Sequence, residues 1–352
     1  MANKLGWIVA GILVLGLIVF VVIKLAIPQP TPPDRTARKP ELLEMVELDW
    51  PGAAAGRKPD GSGDAADDYM QASAAARSHQ ATIEAAWARV FDAGNAELPA
   101  ETLAVLEEVH GHVAAGAKKA ACRYAARHAG AVRVSPEFAP ASDLKRIFDA
   151  LMLVYVHYRE GVGDIDTSER IARDTFAFGW HLVQERGHIN VVLAGIQTQM
   201  LALGHFTNLY GKTGERSDDE PAPKASPLAA KATKEYTAQL DELLMQYNDK
   251  MQIIYDRQPH PGDVFNIVEN DADGAWRVQA LLTCGVLLHT GGRRGDTRYA
   301  RKLIERHLGA QDALLAAAAK AANACTKQQV ENYVVPRTQA LITWPPGVQR
   351  SP

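Results

Sequence analysis

Glu269-Asn270-Asp271-Ala272-Asp273-Gly274 sets oxygen-bearing side chains at alternate positions with glycine sixth, the spacing with which a calcium loop opens. Glu269, Asp271 and Asp273 are the candidate metal ligands of the chain. The twelfth position of such a loop carries a bidentate glutamate; here it is Ala280, which removes two of roughly seven ligands. The better reading is no metal, with Asp271 or Asp273 capping a helix that begins near Ala275. Gly211-Lys212-Thr213 ends as a phosphate-cradling loop does, but that loop needs a glycine five positions earlier and a strand before it. Position 206 is Phe and the preceding segment reads as helix. No nucleotide is expected, and Gly211 is read as a helix stop.

The 11 histidines form no HExxH or CxxCH signature, and no carboxylate–histidine cluster is visible along the chain. His110 and His112 flank Gly111 and diverge on a helix, while Gly187 ends the helix between His181 and His188. Without a GxSxG elbow, no serine can be nominated as a nucleophile. Catalytic residues therefore stay unassigned, and no cofactor is expected. Arg294-Gly295-Asp296 lies in the run GGRRGD and reads as a turn with Asp296 as N-cap. Cys122, Cys284 and Cys325 are too few and too far apart for a disulfide scaffold or a CxxC site, and read as buried thiols. One disulfide stays open if the body faces an oxidising compartment.

The elements that must position these residues begin with Leu5 to Ile23, an uncharged apolar run between Lys4 and Lys24. At about 1.5 Å of rise per residue it matches a hydrocarbon core of roughly 30 Å. Trp7 falls at headgroup level, and Leu13 and Phe20 lie deeper in the run. The run is too long for the apolar core of a cleaved signal, and no small-residue cleavage site follows. Lys24, Arg35, Arg38 and Lys39 follow the span, which by a simple count puts the body in the cytoplasm. Long domains translocate largely regardless of such charge, and a short tail before a span is the plan of a signal anchor. The expectation is a body on the extracytoplasmic, periplasmic side.

Pro28, Pro30, Pro32, Pro33 and Pro40 make the following segment a stalk. From there helical signals dominate. One helix is expected over Asp64–Ala93. A second, over Glu101–His128, is interrupted at Gly111 and Gly116, and residues 131–141 read as loop. The clearest periodicity follows. Leu144, Ile147, Phe148, Leu151, Met152, Tyr155 and Tyr158 trace one face. Ile171, Thr175, Phe178 and Leu182 trace the next, and Ile189, Leu193, Ile196, Met200, Leu203 and Tyr210 a third. Short turns at 161–166 and Gly187 make these three antiparallel. Residues 211–227 read as a polar linker, with helices over 228–257, 274–290, 296–324 and Lys327 to Ile342. No strand pair is expected.

Phe148-x2-Leu151-Met152-x2-Tyr155, followed by Ala172-x3-Phe176-x2-Gly179, resembles one tetratricopeptide hairpin. It departs from that pattern at Met152, in the gap from Tyr155 to Ala172, and at Gln184 where the family has proline. Ala300-x3-Ile304-x2-His307 is a poorer second match. The resemblance spans residues 148–184. It implies a solenoid-like or irregular helical-hairpin body and a protein-binding role.

The fold class expected is all-α: one transmembrane helix (5–23) after a short tail (1–4), a stalk (24–63), and a helical body in two halves (64–210 and 228–352) around the linker. A formal net charge of -3 with scattered basic residues excludes a nucleic-acid partner. The partners expected are the lipid bilayer and another membrane or membrane-associated protein. The function class is a membrane-tethered helical interaction or scaffold protein, such as an accessory subunit of a larger membrane complex. The alternatives are an enzyme whose residues converge only in three dimensions, and a binder of a small apolar ligand. For the last, Phe176, Trp180, Met200 and Phe206 mark a candidate apolar groove, although an aromatic stripe at helical spacing is more often core.

Overall fold

The computed structural model describes residues 63–92, 97–135, 138–211, 259–270, 274–290 and 293–334, with single positions between 238 and 254. Contacts divide the chain into Met1–Met45 and Val46–Pro352, and all described residues belong to the second unit. The expected span with Trp7, Leu13 and Phe20, the stalk up to residue 62 and the linker from residue 212 lie outside the described residues. Those described are mostly helical, with no strand among them.

Asp64 starts the body. Its Oδ1 accepts from Ala66 N at 3.0 Å and from Arg123 N at 2.9 Å, while Ala65 N donates to Ala121 O at 2.8 Å. α1 (Ala66–Ser78) and α2 (Gln80–Asp92) replace the single helix expected here. At His79 the backbone leaves helical geometry (φ -115, ψ 24), and the Ser78 hydroxyl caps back onto Ala74 O. The restart turns Ile83, Ala86 and Val90 inward. α3 (Ala100–Ala117) runs through Gly111, which interrupts nothing. Gly116 is where its glycine is needed: a Cβ there would sit 2.4 Å from Cε1 of Tyr69 on α1. α3 stops at Ala117, short of the expected His128, and α4 (Tyr124–Arg127) is a separate turn.

α5 (Ala139–Phe148) starts within the expected loop and passes into a π-helical segment, Asp149–Tyr155, then α6 (Val156–Gly161). α7 (Ile165–Glu185) begins at Asp164, whose carboxylate accepts from Thr167 N at 3.2 Å. It is buried almost all round and forms the centre of this half. α8 (Ile189–Gly211) returns against it, and the two helices approach at Gly179 and Gly195; a Cβ on Gly195 would lie 2.6 Å from Gly179 O. Between them the left-handed residue is Arg186 (φ 49), not Gly187. Gly187 is needed for space, since a Cβ there would be 2.7 Å from that of Ala125. One described helix is long and apolar enough to cross a membrane, at Ile189–Phe206 in α8; 67% of it is buried inside the body, as a core helix is.

α9 (Pro261–Asn270) is a helix the sequence reading did not foresee. Proline opens it, and Val264, Ile267 and Val268 face inward. α10 (Gly274–His289) is the second half's central helix, with Trp276 fully buried and Gly285 against Ala322, where a Cβ would come within 2.7 Å of Cα. The helix expected over 296–324 is two, α11 (Arg294–Leu308) and α12 (Ala313–Asn323). Asp312 restarts the chain, accepting from Leu314 N at 2.8 Å and Leu315 N at 3.0 Å. Asp296 lies in the first turn of α11; Arg293 holds the cap position instead. α13 (Lys327–Val334) opens with a Thr326–Gln329 capping box. Its Tyr333 hydroxyl accepts from Gln279 Nε2 at 2.8 Å and meets Thr283 Oγ1 at 2.9 Å.

Candidate functional sites

α7 carries the polar side chains of the first half's interior. Asp174, two turns in, faces α3, where His110 Nε2 donates to Oδ2 at 2.9 Å. The two are 64 positions apart and meet because α3 packs along α7. A carboxylate only accepts, so the pair fixes the imidazole proton on Nε2 and leaves Nδ1 as the basic nitrogen. Asp174 is buried behind His110, which keeps 13% of its side chain exposed. One edge of the ring is thus reachable, as a proton-transferring imidazole requires.

Tyr155 closes the π-helical segment beside this dyad, its ring edge-on to His110 at 6.1 Å between centroids. Arg159, one turn on, donates through Nη2 to the Tyr155 hydroxyl (3.0 Å) and to Glu107 Oε1 (3.1 Å), and through Nη1 to Asp164 Oδ2 (3.2 Å). Burial pushes the Tyr155 phenol upward, against the pull of Arg159. π-helical turns recur at functional sites because they displace a side chain from the regular repeat. Here the displaced run ends at the phenol beside the dyad.

Two further polar contacts lie on the same helix. Tyr69 Oη meets His181 Nδ1 at 2.6 Å; burial raises the phenol and lowers the imidazole, so both are neutral and the phenol donates. His205 on α8 stands between Ser168 Oγ (3.4 Å from Nε2) and Glu160 Oε1 (3.3 Å from Nδ1), the order of a hydrolytic triad. Ser168 is 0% exposed, so its hydroxyl meets no substrate. This constellation is structural. At the end of α7, Glu185 accepts from Ala126 N at 3.1 Å, and burial raises its carboxyl to about 7.

The surface offers a different feature. Trp87 and Phe91, one turn apart on α2, are 44% and 46% exposed, with ring centroids 5.3 Å apart. Phe91 also meets the His157 ring of α6 edge-on at 5.1 Å. The two aromatics form a ladder along the edge of α2, beside Ile83, Ala86 and Val90, which hold the inner face to the body.

The residues singled out in the sequence are placed as follows. Glu269 ends α9, accepting from the Tyr299 hydroxyl at 2.7 Å and Arg306 at 3.4 Å; Asp271 and Asp273 lie outside the described residues. No group of three metal-binding side chains occurs among the described residues. Phe176 and Phe206 are buried, while Trp180 and Met200 are half-buried. Phe176 and Trp180 share a face of α7, but Met200 and Phe206 stand about 120° apart around α8. The three cysteines are buried and free. The His110–Asp174 dyad and the Trp87–Phe91 ladder escaped the sequence reading. Asp174, set among the apolar positions of a buried helix, was the available signal for the first; Trp87 and Phe91 at one-turn spacing beside an inward stripe was that for the second.

No protein-family model, no curated protein and no solved structure matches this chain.

Proposed function

We propose that this chain is a membrane-tethered helical interaction protein, held by the span at Leu5 to Ile23 with its body on the extracytoplasmic side, where it serves a larger membrane assembly as an accessory subunit. The observation that carries this reading is the uncharged run Leu5 to Ile23, behind which a helical body exposes the tilted Trp87–Phe91 pair as apolar contact area. Aromatic side chains are enriched at contact surfaces because they bring large area at low entropic cost. The uncharged run at the N-terminus supports the tether, which raises the local concentration of the body near anything in the same membrane. Affinity capture of the full chain from its own membranes in mild detergent tests it, beside a chain lacking residues 1–40. The expected result is stoichiometric recovery of one membrane complex, weakened by the deletion. Recovery of the chain alone, or equal recovery with both chains, overturns the reading.

A second reading, acid–base catalysis, is favoured by the His110–Asp174 dyad with Tyr155 and Arg159 alongside. In it His110 Nδ1 takes a proton, Asp174 holds the ring and its tautomer, and Arg159 polarises the phenol. A turnover present in the wild-type chain and lost in both H110Q and D174N, with the fold retained, would move the assignment to this reading.

A further inference from the structure

We infer that the occupant of the Trp87–Phe91 ladder is the headgroup region of the bilayer to which the chain is tethered, so that α2 lays the body against the membrane; this rests on the tethered reading above. Three observations lead there. First, area: these side chains offer about 100 Å² each at their 44% and 46% exposure. A stable protein interface needs about 800 Å² per partner. The ladder is too small to hold a protein from free solution, and sufficient for a body already held nearby.

Second, position. The described body begins at Gly63, and α2 is the second helix after it. About 40 residues separate Ile23 from Gly63, and the random-coil span of that length, about 35 Å, is enough to keep α2 within reach of the surface at a millimolar-range effective concentration. Third, chemistry. Trp and Phe are the side chains that settle at a membrane interface, where the rings leave water and the indole N–H stays hydrated. Glu84 and Arg89, on either side of Trp87 in the sequence, are both exposed, one charge of each sign. The contact is therefore apolar rather than a basic patch seeking anionic lipid, and phosphatidylcholine alone should satisfy it in high salt as in low.

The test uses the full chain reconstituted into phosphatidylcholine vesicles, either plain or brominated on the acyl chains. The emission of Trp87 is isolated as the difference between wild type and Trp87→Phe. The expected result is that brominated lipid quenches most of that difference, unchanged by salt. If the chain floats with the vesicles after an alkaline wash but the Trp87 emission is equal in both lipids, the inference is overturned and the tether stands. If it does not float, the tethered reading itself falls. Shielding of Trp87 from an aqueous quencher that needs native membrane proteins, and not lipid alone, assigns the ladder to a protein and also overturns the inference. Circular dichroism on Trp87→Phe confirms that the helices are intact.

Discussion

The two halves of the body are both helical, and their interiors differ. Between Ala66 and Gly211 the core holds ionisable groups: Asp174 against His110, His181 against Tyr69, His205 beside Glu160, and Arg173 beside Glu169. Between Pro261 and Val334 the buried polar side chains, among the described residues, are Gln279 and Thr283, both hydrogen-bonded to the Tyr333 hydroxyl. A neutral network asks for hydrogen bonds alone, whereas a buried charge must also be compensated for lost hydration. The first half has thus taken on a cost that folding did not require. That is why the dyad on α7, rather than the Tyr333 network, marks the interior where chemistry would be sought.

The two halves should part most widely in their response to Trp276→Ala. It empties the centre of the dry half and should cost about 3–5 kcal/mol by urea unfolding, equally at acid and neutral pH. Asp174→Ala strips a buried partner from His110 and should cost about 3 kcal/mol, and joint replacement of both residues by leucine should recover most of it. Failure of the double replacement to recover stability would mean that the dyad is not the source of the loss. Tyr333→Phe leaves Gln279 and Thr283 short of one partner and should cost about 2 kcal/mol.

Titration distinguishes the halves by slope. Burial raises Glu185 from 4.5 to about 7 in the folded state, so the native chain holds a proton that the unfolded chain releases. Its contribution is full below 4.5 and is lost as pH rises to about 7. Buried His188, lowered from 6.5 to about 3, acts in the opposite sense: its contribution is full above 6.5 and is lost as pH falls. Glu185→Gln should therefore remove the falling component and leave stability rising with pH up to about 6.5, read by thermal melts across that range. In the second half Cys284 and Cys325 are pushed up to about 12 and about 11, beyond this window. The smallest effect belongs to Trp87→Phe, within about 0.5 kcal/mol of wild type, because an aromatic ring is kept at a half-exposed position beside Phe91.

Helix type was legible almost everywhere, because the apolar stripes of α5 to α8 repeat at the helical period. Breaks were less so. His79 carries no glycine or proline to announce it, and the chain between α11 and α12 is resumed by Asp312, a cap hidden within an alanine-rich run. α9 was obscured because its acidic end looked like a loop. Gly111 drew too much weight as an interruption and is tolerated in mid-helix, whereas the chain does turn at Gly187, with Arg186 taking the left-handed conformation and Gly187 small for the sake of Ala125. Of the dyad only Asp174 could be singled out. His110 and Asp174 lie 64 positions apart, and only the packing of α3 on α7 makes them neighbours. The Trp87–Phe91 spacing was in plain view, but whether that face looked inward or outward depended on how α2 settles on the body.

The π-helical run from Asp149 to Tyr155 works as a phase shifter. Upstream of it Leu144 and Ile147 are buried, and at its end and beyond Tyr155 and Tyr158. An unbroken 3.6-residue repeat would keep both sets in one fixed angular relation, whereas the wider turn advances the second set relative to the first. Rewinding this run as a regular α-helix at the same length would swing everything beyond it by about 100°, taking Tyr155 off His110 and Arg159 off Glu107. Substitution at a given site is a matter of side-chain volume; here it is the length of the chain that is constrained, and the run is a place where residues can be exchanged but not counted differently.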